Sequence, residues 1–418
     1  MQSVSSVLPS YDEAAALVAS YAAKLSCRRP PECVELSQAA SRVLAQPLRA
    51  DRDQPAFARS TRDGYACRAA EASAHTQLAI AGSTRAGDAP GGPLPPQAAW
   101  EIMTGAPVPG GADAVMMLEH VEARDGSVRL LPPRTIAAGE NIVAQGAQAR
   151  AGDELLPAGI TIGFAQIALA ASCGCARLEV YPRPRVAILA TGDEIVPVES
   201  EPAPGQIRNS NGPMLAALVT EAGGKPWVLP SAADNVEALD AALAQAAEAD
   251  LLLITGGVSA GKFDLVEPAL TRRGARFHFT GVRMQPGKPV VFGEMPATKH
   301  LQNQNGTKCC FGLPGNPVSS AVTFLLFAAP VLAALSGRRD HGPRFALARL
   351  ALEVKGKPSL TRFLPAHCTF AGELPEVTQV EWQGSGDLAA MARSNCFLVV
   401  PEDAGPLAAG SIVRILLS

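Results

Sequence analysis

Three glycine-bearing turns constrain this chain most. Arg185 to Ala190 runs into Thr191-Gly192-Asp193-Glu194, and Asp250 to Ile254 runs into Thr255-Gly256-Gly257-Val258-Ser259-Ala260-Gly261-Lys262. Lys308 to Leu313 runs into Pro314-Gly315-Asn316-Pro317. Helical patterns lie between these short apolar runs. Asn211 to Glu221 has Pro213 in its first turn and Gly223-Gly224 past its end, an alanine-rich stretch spans Asp234 to about Glu248, and an apolar helix opens at Pro317. A further strand is expected at Trp227 to Leu229. Strands alternating with helices predict parallel βαβ units with right-handed crossovers, a doubly wound α/β domain. In such a sheet, ligands bind beyond the carboxyl ends of the strands.

These turns suit an anion. Glycine lets backbone N–H groups approach a ligand closely, and a helix N-terminus adds about half a positive charge. Asn316 is a favoured N-cap residue, Pro317 a favoured first helical residue, and Ser319 and Ser320 offer hydroxyls in the first turn. One such turn could be mere chain reversal; three at the ends of one sheet predict a phosphate or oxyanion pocket. Gly256 to Lys262 also matches G-x-x-x-x-G-K, but Phe263 stands where a nucleotide-binding P-loop needs a hydroxyl for Mg²⁺, which argues against that motif.

Asp193, Glu194 and Asp264 put acids beside this pocket. They would repel an anionic substrate unless a hard cation such as Mg²⁺ intervened; helix caps and solvated loop charges are the alternative. Lys288, in Gln285-Pro286-Gly287-Lys288-Pro289, sits on a turn stiff enough to aim an ammonium at a phosphate, with an ordinary surface lysine as the alternative.

Composition excludes several classes. Of 418 residues 47% are hydrophobic and 18% charged, so the chain can fill several cores and is not disordered. A formal charge of -3 gives no field for nucleic acid or an anionic membrane, and 5% aromatics leave few base-stacking platforms. The nine cysteines contain no C-x-x-C and read as buried, reduced thiols. Met1 to Ser20 lacks the pattern of a signal peptide, and the apolar run Val318 to Leu335, interrupted by Ser319, Ser320, Thr323 and Pro330, reads as a buried helix. A cytoplasmic location is expected.

Four segments are expected: a helical and mixed frame from 1–46 and 146–180, a β-rich insertion at 47–145, the α/β domain at 181–337 and a β-rich C-terminal domain at 338–418. The insertion carries a strong hairpin signal, Asp125-Gly126 between Val115–Arg124 and Ser127–Leu131.

Ordered motifs extend beyond the turns. Asp63-Gly64-Tyr65-Ala66, Thr104-Gly105-Ala106-Pro107-Val108-Pro109, Gly111-Ala112-Asp113-Ala114-Val115, the Thr191 turn, Gly205-Gln206-Ile207, Asn209-Ser210-Asn211, the Thr255 turn, Pro286-Gly287-Lys288-Pro289 and Leu313-Pro314-Gly315-Asn316-Pro317-Val318-Ser319-Ser320 occur in one sequence. Together they resemble the molybdopterin molybdenumtransferase family (bacterial MoeA type, with the gephyrin E domain as an animal relative). The resemblance implies a central molybdopterin-binding-like α/β domain. It also implies an enzyme that inserts molybdenum from molybdate into adenylylated molybdopterin, with Mg²⁺-dependent release of AMP. It implies a homodimer whose active site takes the β-rich insertion from the neighbouring subunit. Contacts with the upstream molybdopterin adenylyltransferase and with downstream molybdoenzyme-maturation proteins follow, with no nucleic acid and no membrane.

Roles implied by the resemblance fall on matching positions. Glu194 and Asp264, with Asp193, would seat Mg²⁺ or a water near the phosphoanhydride, and Asp63 and Thr104 would enter from the partner. Thr191 and Gly192 belong to the binding turns. Backbone amides of Gly256, Gly257, Gly315 and Asn316, with Ser259 and Ser319, would hold phosphates. Lys288 would neutralise pyrophosphate charge or hold molybdate. Asp234 is either acidic machinery or a helix cap. The chain departs from the family at Gln285, where a lysine is usual, at Gly146-Ala147-Gln148, where Gly-Glu-Asp is common, and at Ala58-Arg59-Ser60-Thr61-Arg62. These departures support one alternative, a catalytically weakened molybdopterin-binding scaffold or carrier. A second alternative is another Mg²⁺-dependent nucleotide pyrophosphatase on the same α/β core.

Overall fold

The structure is a computed structural model that describes residues 8–27, 29–257, 265–297 and 306–418. Ser259 and Asp264 therefore lie outside the described residues. The chain forms two compact units. One comprises 46–158 and 164–177, and the other comprises 1–45, 159–163 and 178–418.

The larger unit holds the α/β sheet. Its elements in chain order are β1 (Arg185–Ala190), α1 (Asn211–Glu221), β2 (Lys225–Val228), α2 (Val236–Gln245), β3 (Leu251–Thr255), α3 (Val266–Arg272), β4 (Arg276–Phe279), β5 (Val291–Pro296) and β6 (Thr307–Leu313), followed by the continuous helix α4 (Pro317–Leu335). The sheet order is β2-β1-β3-β6-β5-β4. β2, β1, β3 and β6 are mutually parallel, while β5 runs antiparallel between β6 and the edge strand β4.

Alternation along the strands explains why helices cover both faces. Val186, Ile188, Leu251 and Leu253 point into one core with α1, α4 and the helix Tyr11–Ala22. Ala187, Leu189, Leu252 and Ile254 point into a second core with α2 and α3. Doubly wound α/β is thus the observed architecture. The expected strand at 227–229 begins earlier, at Lys225, and the helix expected from Asp234 starts at Val236 and ends as a 3-10 turn, Ala246–Glu248. The antiparallel pair β4 and β5 was not among the expected elements: β4 alternates polar and apolar residues over only four positions, and β5, Val-Phe-Gly-Glu-Met-Pro, does not alternate.

Helix α4 is long and apolar, with an 18-residue stretch of mean hydropathy 2.1, yet 89% of that stretch is buried in the protein. Its middle, Phe324–Ala328, widens to a π-helix just before Pro330, which has no N–H to donate to the preceding turn.

The C-terminal strands Phe345–Leu350, Thr361–Thr369, Glu376–Gln379, Cys396–Val400 and Ile412–Leu417 close on themselves through the Thr361–Thr369 and Cys396–Val400 pairing. Closure leaves no free edge in this five-stranded barrel, whose core includes Leu350, Leu364, Leu398 and Ile415. The two-residue strand Met284–Gln285 pairs in parallel with Thr361–Arg362, so the barrel holds the segment leading to Lys288.

The smaller unit is built on a six-stranded sheet in the order Ala114–Met117, Gly64–Cys67, Ala98–Ile102, Leu78–Thr84, Ser127–Leu130, Val121–Arg124. The Asp125-Gly126 hairpin forms as the sequence indicates, with positive φ at both residues (51° and 73°), the conformation of a type I′ turn. Its first strand starts only at Val121, after a 3-10 turn at Leu118–His120. This unit also contains the helix Phe164–Ser172, whereas Tyr11–Ala22, capped reciprocally by Ser10 and Glu13, belongs to the larger one. No disulfide joins any of the nine cysteines and six are buried; Cys33 is exposed, contrary to the expectation of burial.

Candidate active site

The three turns meet at the carboxyl ends of β1, β3 and β6, which are neighbours in the sheet. Their contacts are backbone to backbone. The Thr191 N–H donates to Thr255 O (2.9 Å), and the Gly256 N–H donates to Leu313 O (3.2 Å). Gly256 has φ +93°, and a Cβ there would stand 2.4 Å from Thr191 O, so only glycine permits this approach. Asn211, at the start of α1, ties the other two turns together. Its Nδ2 donates to Thr255 Oγ1 (2.8 Å) and to Gly315 O (2.7 Å), and Thr255 Oγ1 donates to Pro314 O (3.2 Å).

These bonds revise the donor set. The Gly256 amide is occupied by Leu313, and the Gly192 amide by Ala232 O (3.2 Å), so neither can donate to a phosphate. The amides of Gly257, Gly315 and Asn316 have no partner among the described residues. Thr191 is buried, and its Oγ1 is without a hydrogen bond there. Asn316 occupies the N-cap position of α4 with Pro317 following, but its side chain does not cap; Nδ2 donates instead to Ser385 Oγ in the C-terminal segment (2.8 Å).

Beside the Gly315 turn opens a cavity of about 350 Å³. Gln285, Gly287 and Lys288 line it on one side, Gly315, Asn316 and Ser319 on another, and Trp382, Gly384 and Ser385 on a third. Lys288 is exposed and forms no ion pair among the described residues. Ser319, only 4% exposed, is among the lining residues, and its hydroxyl has no partner among the described residues. Among the described residues no carboxylate lines the space. It presents one ammonium and several neutral donors, the chemistry of an oxyanion site.

The acids sit at the β1 turn. Asp193 Oδ1 accepts the Asp234 N–H (2.9 Å), and the Glu194 carboxylate folds over Gly192, where an added Cβ would lie 2.5 Å from Oε2. Burial, then the charges of Asp193 and Glu194, push the Asp234 carboxyl above the usual carboxylate range. The helix cap is not Asp234 but Asn235, whose Oδ1 accepts the Ala238 N–H (2.8 Å). In the smaller unit, Asp63 and Thr104 do come together: Asp63 Oδ1 accepts the Thr104 amide (2.7 Å) and hydroxyl (2.8 Å), and these bonds lower the Asp63 pKa.

Comparison with known proteins gives the family. The MoeA N-terminal region (domain I and II) matches residues 9–174, a probable molybdopterin binding domain matches 187–334, and the MoeA C-terminal region (domain IV) matches 347–418. The chain belongs to the MoeA family. A molybdopterin molybdenumtransferase from Nostoc sp. is 33% identical over 98% of this chain and 94% of its own length. Molybdopterin molybdenumtransferase 2 of Mycobacterium tuberculosis is 35% identical over 93% and 95%. Among solved structures, a molybdopterin biosynthesis MoeA protein from Pyrococcus horikoshii is similar with TM-score 0.74 and 30% identity, covering 98% of this chain and 99% of that one. The closed barrel is thus domain IV of a MoeA architecture, and the α/β sheet its molybdopterin-binding-like domain.

Mg²⁺, which the MoeA resemblance implies, can be tested against these side chains. No three His, Cys, Asp or Glu side chains among the described residues gather closely enough to form a protein metal cage. Mg²⁺ does not need one, since it commonly keeps several waters and takes one or two carboxylates plus substrate phosphates. Asp193 and Glu194 supply hard oxygens of that kind, at one turn and beside Asp234, whose N–H Asp193 Oδ1 accepts. The acids fit the ion. Trp382, Gly384 and Ser385 were missed in the sequence. Gly384-Ser385-Gly386-Asp387 resembles the glycine turns, and this was the one available signal.

Proposed function

We propose that this chain transfers molybdenum from molybdate to adenylylated molybdopterin and releases AMP, the last step of molybdenum cofactor synthesis. One observation carries the reading: the turns of three adjacent parallel strands meet at one rim of the sheet, where the Gly315 turn borders the Lys288 cavity and the β1 turn carries an acid cluster. The amides of Gly257, Gly315 and Asn316, without partners among the described residues, suit phosphate oxygens. Lys288, Ser319 and Ser385 suit the oxyanion, placed as molybdate. Asp193 and Glu194 would hold Mg²⁺, with Asp264 as a further ligand. The ion when bound would draw negative charge from the phosphoanhydride and its leaving phosphate. The protein's own contribution is position and electrostatics: it fixes the diphosphate on oriented amides and holds a fixed cation beside it.

The reading includes a cytoplasmic homodimer in which Asp63 and Thr104 of one subunit serve the site of the other. Their mutual hydrogen bonds, which hold the Asp63 carboxylate ionised and oriented, support a functional part for this pair. Substrate would arrive from an adenylyltransferase and product would pass to maturation proteins. The test mixes purified protein with adenylylated molybdopterin and Mg²⁺, with and without molybdate, and measures AMP. Molybdate-dependent release is expected. Binding without release would leave a scaffold, and hydrolysis of common dinucleotides without molybdate would indicate a pyrophosphatase instead.

A further inference from the structure

The cavity beside Gly315 has an uncommon balance of charge to hydrogen bonding. Among the described residues that line it, Lys288 is the single cation, and the remaining polar groups are neutral. Gln285 is one of them. Its Oε1 is fully buried and accepts no hydrogen bond, so the accessible end of the amide is Nε2, which has no partner among the described residues. Turned about, the amide would bury two N–H donors in place of one carbonyl, the costlier arrangement. The Met284–Gln285 pairing with Thr361–Arg362 fixes the backbone at this point. Ser385 Oγ accepts from Asn316 Nδ2, which leaves its own proton free to donate. Ser319, almost wholly buried, has no partner for its hydroxyl among the described residues.

We infer that Gln285 is a specificity-determining residue of this cavity: its Nε2 donates to the bound oxyanion, so that a tetrahedral dianion is held by one cation and a ring of neutral donors. This rests on the oxyanion role proposed above for the cavity. A site built this way recognises its ligand by directed hydrogen bonds, and its affinity falls only gently with salt, because a single protein charge is screened. A second cation at position 285 would add Coulomb attraction at a few ångströms from the dianion, strong in a partly enclosed site and steeply dependent on salt.

The experiment is calorimetric titration of the full-length protein with molybdate, and with tungstate in parallel, at several salt concentrations. Four variants are compared with the parent: Gln285→Met, Gln285→Lys, Lys288→Met and Ser319→Ala. Gln285→Met keeps size but cannot donate. It should weaken binding roughly tenfold with the salt dependence unchanged, the effect of losing one hydrogen bond to an anion. Gln285→Lys should tighten binding at least tenfold at low salt and steepen the salt dependence. A purely structural role for Gln285 would alter melting temperature without separating these two readouts. If both Gln285 variants bind as the parent does while Lys288→Met loses binding, this inference fails and the oxyanion role stands. If the parent binds no molybdate, or if Lys288→Met and Ser319→Ala are also without effect, the oxyanion role fails with it.

Discussion

Asn211 is the residue on which the meeting of the turns most depends, and its removal has a calculable cost. Nδ2 makes two hydrogen bonds, at 2.8 Å to Thr255 Oγ1 and 2.7 Å to Gly315 O. At about 1 kcal/mol net for each, Asn211→Ala forfeits about 2 kcal/mol. Part of this returns, because Asn211 Oδ1 is buried without a partner and the variant removes that unsatisfied acceptor. A net loss of about 1–2 kcal/mol is expected for alanine. Asn211→Asp is isosteric yet worse. It sets a carboxylate against the Gly315 carbonyl and loses both donated bonds, at a cost of about 3 kcal/mol or more for an unpaired, partly buried charge. The N-terminus of α1 offsets at most about 1 kcal/mol of that. The assay is urea unfolding followed by tryptophan fluorescence in a Trp100→Phe background, where Trp227 and Trp382 report the larger unit. Both variants should also slow AMP release, since the Gly315 turn loses its tie to α1. If aspartate proves as stable as alanine, or alanine as stable as the parent, the account of how these turns are held together is wrong.

Three further outcomes follow from the same geometry. Glu194→Gln should abolish AMP release from a folded dimer, and mixed dimers with Asp63→Asn should recover part of it through one intact composite site; no recovery in gel-purified mixed dimers would remove the shared-site proposal. Gly256→Ala, at φ +93° and 2.4 Å from Thr191 O, should cost about 1–3 kcal/mol and most of the activity, whereas Gly315→Ala, whose Cβ would meet only Gly256 Cα at 3.6 Å, should melt like the parent. Lys308 is buried and donates to Ala246 O and Ala247 O, and burial pulls its pKa from 10.5 down to about 8. Between those values the unfolded chain binds a proton that the native chain has lost, so this group adds stability as pH rises through the window, on the order of 3 kcal/mol in full. The stability difference between parent and Lys308→Met should therefore grow from pH 8 to pH 10 in urea titrations, and a flat difference would contradict it.

Much of the rim was legible because local chemistry specifies it. A β-branched run ending in Thr-Gly, followed by a proline-opened helix, has few ways to fold, and α1 spans the expected residues Asn211–Glu221. The doubly wound cores follow from strands apolar on both faces. What stayed hidden depends on long-range pairing. Trp382 and Ser385 reach the Lys288 segment because a barrel strand pairs with the two residues Met284–Gln285, too short a strand to carry a periodic signal. The donor set was over-read for a related reason: the Gly192 and Gly256 amides are spent on Ala232 and Leu313, partners from other parts of the chain. Capping by Asn235 in place of the adjacent Asp234 turned on a one-residue shift between two side chains of equal capping ability.

The central claim is that the space between Lys288, Ser319 and Ser385 holds the oxyanion at the rim of the glycine turns. Anomalous diffraction from crystals of the full chain grown with tungstate tests it most directly, because the heavy atom reports its own position. The account predicts a dominant peak inside that cavity, within hydrogen-bond reach of those three side chains. A peak elsewhere, or an empty cavity at saturating tungstate, would contradict it.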